Sequence, residues 1–301
     1  MAEGTGNPGS KVRFADVDAD RDADYLVVGD NGDVSLWRNN DVTTGGSWGP
    51  QVKYVSDLNS AGRVEFADID GDKDADYLVV SPGGVVTAWR NDKVASVGGS
   101  GWHKLGMIAD GVEMFSSERV TFADYDGDGD DDDYLVVSDA GKVRAWRNDG
   151  ASPLQGGGWA WKSVGTIATG STSEGEVQFA DIDGDGADGY LAVVGHKAYA
   201  WRNHGTNAPG GGGWGPKTQI ADPSQASASE KTMFAHIISC DGRADYILRD
   251  PTQNNKLTGW KNLAGFANRW DAAKKVAYGW PSVSTPRSTW PTSPATALTT
   301  T

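Results

Sequence analysis

The chain has 301 residues with a formal charge of -14, 41 glycines and 13 tryptophans. The acidity is local, because four short loops hold 21 acidic residues and two basic ones, so the remainder carries a net charge of +5. No basic cluster points to nucleic acid or to an anionic membrane, and no apolar run reaches the ~20 residues of a membrane-spanning helix.

The short runs of Val, Tyr, Phe and Trp broken by Gly, Asn and Asp are the composition of an all-β protein. Pairs of Phe-Ala recur at Phe14-Ala15, Phe66-Ala67, Phe122-Ala123, Phe179-Ala180 and Phe234-Ala235, at intervals of 52, 56, 57 and 55 residues. A period of this size, with about four strand-like segments in each unit, predicts a five-bladed β-propeller with four-stranded antiparallel blades. The units start near residues 11, 63, 119, 176 and 231, the propeller occupies residues 1–280, and residues 281–301 form a Ser/Thr/Pro-rich tail.

In the first unit the strands fall at Lys11 to Ala15, Asp24 to Gly29, Val34 to Arg38 and Val52 to Ser56, with Asn31-Gly32 at the hairpin between the second and third. The third strand recurs as Leu36-Trp37-Arg38-Asn39, Ala88-Trp89-Arg90-Asn91, Ala145-Trp146-Arg147-Asn148, Ala200-Trp201-Arg202-Asn203 and Gly259-Trp260-Lys261-Asn262. A Gly-rich loop then ends in a second tryptophan: Trp48, Trp102, Trp159, Trp214 and Trp270. How blade five meets blade one is open. Either they join without a shared strand, or the tail crosses the seam.

Between the first and second strands lie the acidic loops. Side chains at positions 1, 3 and 5 of a tight loop converge on one point, a backbone carbonyl serves at position 7, and a further carboxylate enters near position 9, which is oxygen chemistry suited to calcium. The ligand sets are Asp16, Asp18, Asp20 and Asp24; Asp68, Asp70, Asp72 and Asp76; Asp124, Asp126, Asp128 and Asp133; and Asp181, Asp183 and Asp185. In the fourth loop Gly189 replaces the last carboxylate and leaves Asp188 one place early, so weaker binding is expected there. The fifth unit reads His236-Ile237-Ile238-Ser239-Cys240-Asp241 and is expected to be metal-free. An EF-hand is excluded, since the twelfth position of the second loop is Val79, within a strand. Three or four calcium ions are expected.

The pattern Phe-Ala-Asp-x-Asp-x-Asp-x-x-x-Asp-Tyr-Leu-Val-Val followed by Ala-Trp-Arg-Asn resembles the FG-GAP/VCBS repeat of integrin-like β-propellers. Members include fungal lectins of the Psathyrella velutina type and domains attached to polysaccharide-degrading enzymes. The resemblance implies a calcium-stabilised propeller and, as the leading function, multivalent carbohydrate binding to glycans or glycoconjugates. Trp48, Trp102, Trp159 and Trp214, with Asn39, Asn91, Asn148 and Asn203, supply stacking rings and planar hydrogen-bonding groups for that purpose. Two alternatives stand beside it: a protein-interaction platform, and an enzyme such as a polysaccharide lyase, a hydrolase or a small-molecule cyclase. The enzyme would use residues that break the repeat: His196, His204, His236, Arg63, Arg119, Glu113, Glu118, Glu176 and Tyr199. Calcium-type loops also suit a secreted or extracellular setting, although no signal segment opens the chain. The single Cys240 allows no intramolecular disulfide.

Overall fold

The computed structural model describes residues 11–277 apart from 43–47, 57–61, 93–100, 113, 116, 130–131, 150–158, 171–174, 205–212, 224–225, 239–240 and 254. The tail expected at 281–301 lies outside the described residues.

Twenty strands form five antiparallel sheets, each a simple meander of four consecutive strands. The first contains β1 (Val12–Ala15), β2 (Asp24–Val28), β3 (Val34–Trp37) and β4 (Val52–Val55). The second runs β5 (Arg63–Ala67), β6 (Asp76–Val80), β7 (Val85–Asn91) and β8 (Trp102–Asp110), and the third β9 (Arg119–Ala123), β10 (Asp133–Val137), β11 (Lys142–Asn148) and β12 (Trp161–Thr169). The fourth is β13 (Glu176–Ala180), β14 (Gly189–Val194), β15 (Lys197–Trp201) and β16 (Thr218–Ala221), and the fifth β17 (Lys231–Ala235), β18 (Asp245–Asp250), β19 (Lys256–Trp260) and β20 (Lys274–Ala277). These are the blades of a five-bladed propeller.

The second strand of each blade is buried along nearly its whole length, which explains its continuous apolar sequence: both of its faces meet neighbouring blades. Tyr25 and Val27 pack with Ile237, Ile238 and Val276 of blade five, whereas Leu26 and Val28 pack with Val64 and Tyr77 of blade two. The core is accordingly five apolar clusters, one per junction. Within each blade a tyrosine is met edge-on by a phenylalanine and a tryptophan, as in Phe66–Tyr77–Trp89 with ring centroids 5.9 and 5.6 Å apart.

The tyrosine hydroxyl reaches into the hairpin of the preceding blade. Tyr77 donates to the Gly32 carbonyl, Tyr134 to Gly84 and Tyr190 to Gly141, each at 3.0 Å. Glycine is required there twice over. Gly84 has φ +77°, and a Cβ on it would lie 2.6 Å from the Tyr134 hydroxyl.

Among the described residues no strand is shared across the seam. Blade one closes on blade five through Ala23 N donating to His236 O (2.6 Å), Asn39 Nδ2 to Ile237 O (2.9 Å) and Trp48 Nε1 to Val276 O (2.9 Å). The same three bonds recur at the other junctions, as in Ala75 N to Asp16 O, Asn91 Nδ2 to Val17 O and Trp102 Nε1 to Tyr54 O between blades two and one. The described strands agree with the first of the two closures left open by the sequence, and the tail of the second lies outside the described residues.

Candidate metal loops and inter-blade cavities

Connections between first and second strands, and between third and fourth, share one face of the ring. Each acidic loop on that face is built by its own carboxylates. Asp68 accepts from the backbone N-H of Gly71 (2.9 Å) and Lys73 (2.8 Å), which curls the loop, while Asp76 accepts from Ile69 N (3.2 Å) and Asn91 N (2.7 Å), which pins it to the third strand. Asp16, Asp124 and Asp181 repeat the first arrangement, and Asp24, Asp133 and Asp245 the second.

Four groups of carboxylates are brought close enough to share a cation: Asp16, Asp18 and Asp24; Asp68, Asp70 and Asp76; Asp124, Asp126 and Asp128; and Asp181, Asp183 and Asp185, with candidate ligand atoms within 4.8 Å of one another. Asp20, Asp72 and Asp133, expected as ligands, stand outside these groups. Asp20 and Asp72 accept from the N-H of Asp22 and Asp74, and both oxygens of Asp133 accept backbone N-H groups. Asp188 joins none of them either; it lines a cavity on the ring axis.

The third position of each loop tests the fit to a metal. Asp18, Asp70, Asp126 and Asp183 each form an ion pair with the arginine of the third strand, Arg38, Arg90, Arg147 and Arg202. Yet Asp18, Asp70 and Asp126 each keep their other oxygen buried with no hydrogen-bond partner, whereas in Asp183 the arginine takes the corresponding oxygen. A buried anionic oxygen left unpaired is costly, and a cation between the carboxylates removes that cost. The donor set, all oxygen and mostly carboxylate, fits a hard divalent cation. In the fifth loop Ile238 occupies the third position at 1% exposure, and Gly259 makes room for it, since a Cβ there would lie 2.6 Å from the isoleucine methyl. This loop is filled by hydrocarbon instead.

Burial raises the carboxyl pKa values throughout these loops: Asp16, Asp68 and Asp124 to about 6, Asp24 to about 8, and Asp76 and Asp133 to about 9. Desolvation is the main cause, with repulsion from neighbouring carboxylates adding to it and backbone N-H groups opposing it.

The residues expected to hold a ligand divide. Asn39, Asn91, Asn148 and Asn203 are buried, with their Nδ2 groups donated to carbonyls of the preceding blade. They brace junctions and do not face solvent, which corrects the expectation of planar ligand contacts. Trp48 is likewise buried, and Trp102 stacks edge-on against Tyr54 at 5.0 Å. In blade three the repeat position belongs to Trp161, which pairs with Asn148 and donates to Ile108 O at 2.7 Å. Trp159 stands two residues earlier and donates to Asn148 Oδ1 at 3.2 Å.

Three cavities of about 390, 220 and 330 Å³ lie at equivalent places between blades. Tyr134, Trp146, Trp159 and Trp161 wall the first against Ile108 to Val112. Tyr190, Trp201 and Trp214 wall the second against Ala168 to Gly170, and Tyr246, Trp260 and Trp270 the third against Ala221 to Pro223. Among the described residues no Lys or Arg lines any of the three. These cavities are hidden in the sequence because half of each wall comes from the preceding blade. A larger cavity of about 570 Å³ sits on the axis at the acidic face, edged by Asp132, Asp188, Arg21, Lys73 and His236.

Of the residues weighed for catalysis, Arg63, Arg119 and Glu176 come near one another on the inner strands, where the charges of Glu176 and Arg63 act on Arg119, and the others stand apart. Arg63 and Arg119 donate to the Val120 and Val177 carbonyls of the next inner strand, Glu118 pairs with Arg144 at 2.9 Å, and His236 lines the axial cavity. Glu113 lies outside the described residues.

The family comparison falls on the first two acidic loops. Residues 16–79 carry an FG-GAP-like repeat. No curated protein matches the chain. Among solved structures it is similar to the Photorhabdus luminescens Tc holotoxin pore (TM-score 0.50, 19% identity, covering 89% of this chain and 12% of that one). It is also similar to an Agrocybe aegerita lectin that recognises non-reducing terminal N-acetylglucosamine (TM-score 0.47, 19% identity, 91% and 67%) and to the BP39L lectin of Burkholderia pseudomallei (TM-score 0.46, 14% identity, 89% and 70%). At 19% identity the likeness to the holotoxin pore is one of fold.

Proposed function

We propose that this FG-GAP-like propeller is a calcium-stabilised, multivalent carbohydrate-binding protein. The observation that carries the reading is the set of three equivalent cavities between blades, each walled by tyrosine and tryptophan and edged by backbone of the preceding fourth strand. Sugars bind by stacking their C-H faces on aromatic rings while their hydroxyls reach backbone and side-chain polar groups. Repetition around a rigid ring lets several weak sites act together on a branched or surface-bound glycan. The charged side chains among the described lining residues are carboxylates, Asp110, Asp222 and Asp271, which favours neutral sugars over uronic, sialylated or sulfated ones. Trp159 and Trp214 are the expected ligand residues that reach these walls.

The calcium part of the proposal rests on the unpaired third-position oxygens. Bound calcium would hold the loops that interlock neighbouring blades and leave the sugar sites to the junctions. A glycan array followed by crystals soaked with the best neutral sugar tests the function. Electron density for sugar in two or more junction cavities supports it. A single occupied site on the axis, with the junctions empty, would sink it.

A further inference from the structure

Asp74 sits two residues before the end of the second acidic loop, at a place that carries Ala187 in the fourth loop and Arg243 in the fifth. Its backbone N-H donates to Asp72. Its side chain is 0% exposed, and neither carboxylate oxygen has a hydrogen-bond partner. The charges that act on it most strongly are the carboxylates of Asp72, Asp68 and Asp70, the residues that open its own loop. A carboxyl group sealed in this way is unfavourable in either form: ionised it lacks a counter-charge, and neutral it lacks a hydrogen-bond partner.

We propose that Asp74 is an additional anionic group facing the cation of the second loop, making that loop a markedly stronger calcium site than the fourth. The inference rests on the calcium reading above and adds a ranking to it. Affinity of oxygen-ligand sites for calcium rises with the number of carboxylates and with loop rigidity. The second loop brings together Asp68, Asp70 and Asp76, pins Asp76 to strand β7 and adds Asp74. The fourth brings together Asp181, Asp183 and Asp185, has Gly189 at the pinning position and Ala187 at the place of Asp74. Arg202 and Arg243 further reduce its need for a cation, the first by pairing with Asp183 and Asp185, the second by donating to the Asp183 carbonyl at 3.2 Å.

The test is calorimetric titration of the metal-stripped full chain with calcium chloride, comparing wild type, Asp74→Asn and Asp74→Ser. Wild type is expected to take up calcium in at least two affinity classes. Asp74→Asn keeps the shape of the side chain and should weaken the tightest class about ten-fold or more, and Asp74→Ser, which also removes the charge, should do the same. A folded Asp74→Asn protein with the wild-type isotherm overturns the inference and leaves the calcium reading standing. No calcium uptake by wild type overturns the calcium reading itself. Should Asp74→Asn fail to fold, the Asp74→Ser isotherm decides, and an unchanged tight class counts against the inference.

Discussion

Trp102 and Asn91 illustrate how single residues hold this ring together. Each is conspicuous in the sequence by its repetition, and each spends its polar group on a carbonyl of the preceding blade, Tyr54 O for Trp102 and Val17 O for Asn91. Removing Trp102 takes away a ring packed between Tyr54 and Tyr77 as well as that bond. Trp102→Ala should therefore destabilise the protein by about 3 to 5 kcal/mol, and Asn91→Ala by about 1 to 3 kcal/mol through the unsatisfied Val17 carbonyl, measured by chemical denaturation. Gly84→Ala faces both a left-handed φ and the Tyr134 hydroxyl. It should cost more than the ~1 kcal/mol expected of a simple glycine effect. That the asparagines bridge blades could not be read from the chain, because their partners lie up to 198 residues away. The tryptophan of blade three was misplaced for a local reason: Trp159-Ala160-Trp161 offers two candidates two residues apart, and only the register of β11 against β12 selects the second.

At the scale of the loop, the acidic segments were the most legible part of the sequence. Carboxylates on alternate residues of a tight turn repel one another unless a cation sits among them, and the structure gathers three of them in each of four loops. Less visible was the double duty of the last aspartate, which first of all accepts backbone N-H groups and thereby persists as Asp245 in the loop that has lost its other ligands. The loops also predict a pH dependence. Without metal, Asp24, Asp76 and Asp133 have folded-state values of about 8 and 9, above the ~4 of an unfolded aspartate. The folded state binds the extra protons, so their contribution is fully present below about pH 4 and is lost as pH rises through about 8 to 9. Metal-stripped protein should melt at a higher temperature at pH 5 than at pH 8. Saturating calcium should reverse that order by competing with the protons, and thermal unfolding at the two pH values, with and without calcium, checks both statements.

For the molecule as a whole, the period of the Phe-Ala pairs was enough to predict five blades of four strands, and the described sheets agree. Ring closure was not legible, since among the described residues it depends on no special strand. The seam between blades five and one uses the same three kinds of hydrogen bond as every other junction. The junction cavities were equally hidden, being made from the end of one repeat and the middle of the next. The interlocking loops and the aromatic cavities thus occupy different parts of a junction, the loops on the acidic face and the aromatic walls nearer the outer strands. Cations bound in the four acidic loops would act on every junction at once, because each loop hydrogen-bonds to the loop beside it.

Thermal unfolding of the full chain at pH 7.5, in excess chelator and in millimolar calcium, tests the stabilising role of the loops most directly. Calcium at about a hundred times its dissociation constant contributes about 2.7 kcal/mol per site. Several sites together should raise the midpoint by on the order of 10 °C or more, reversibly on adding back calcium. Identical midpoints in chelator and calcium would contradict that role.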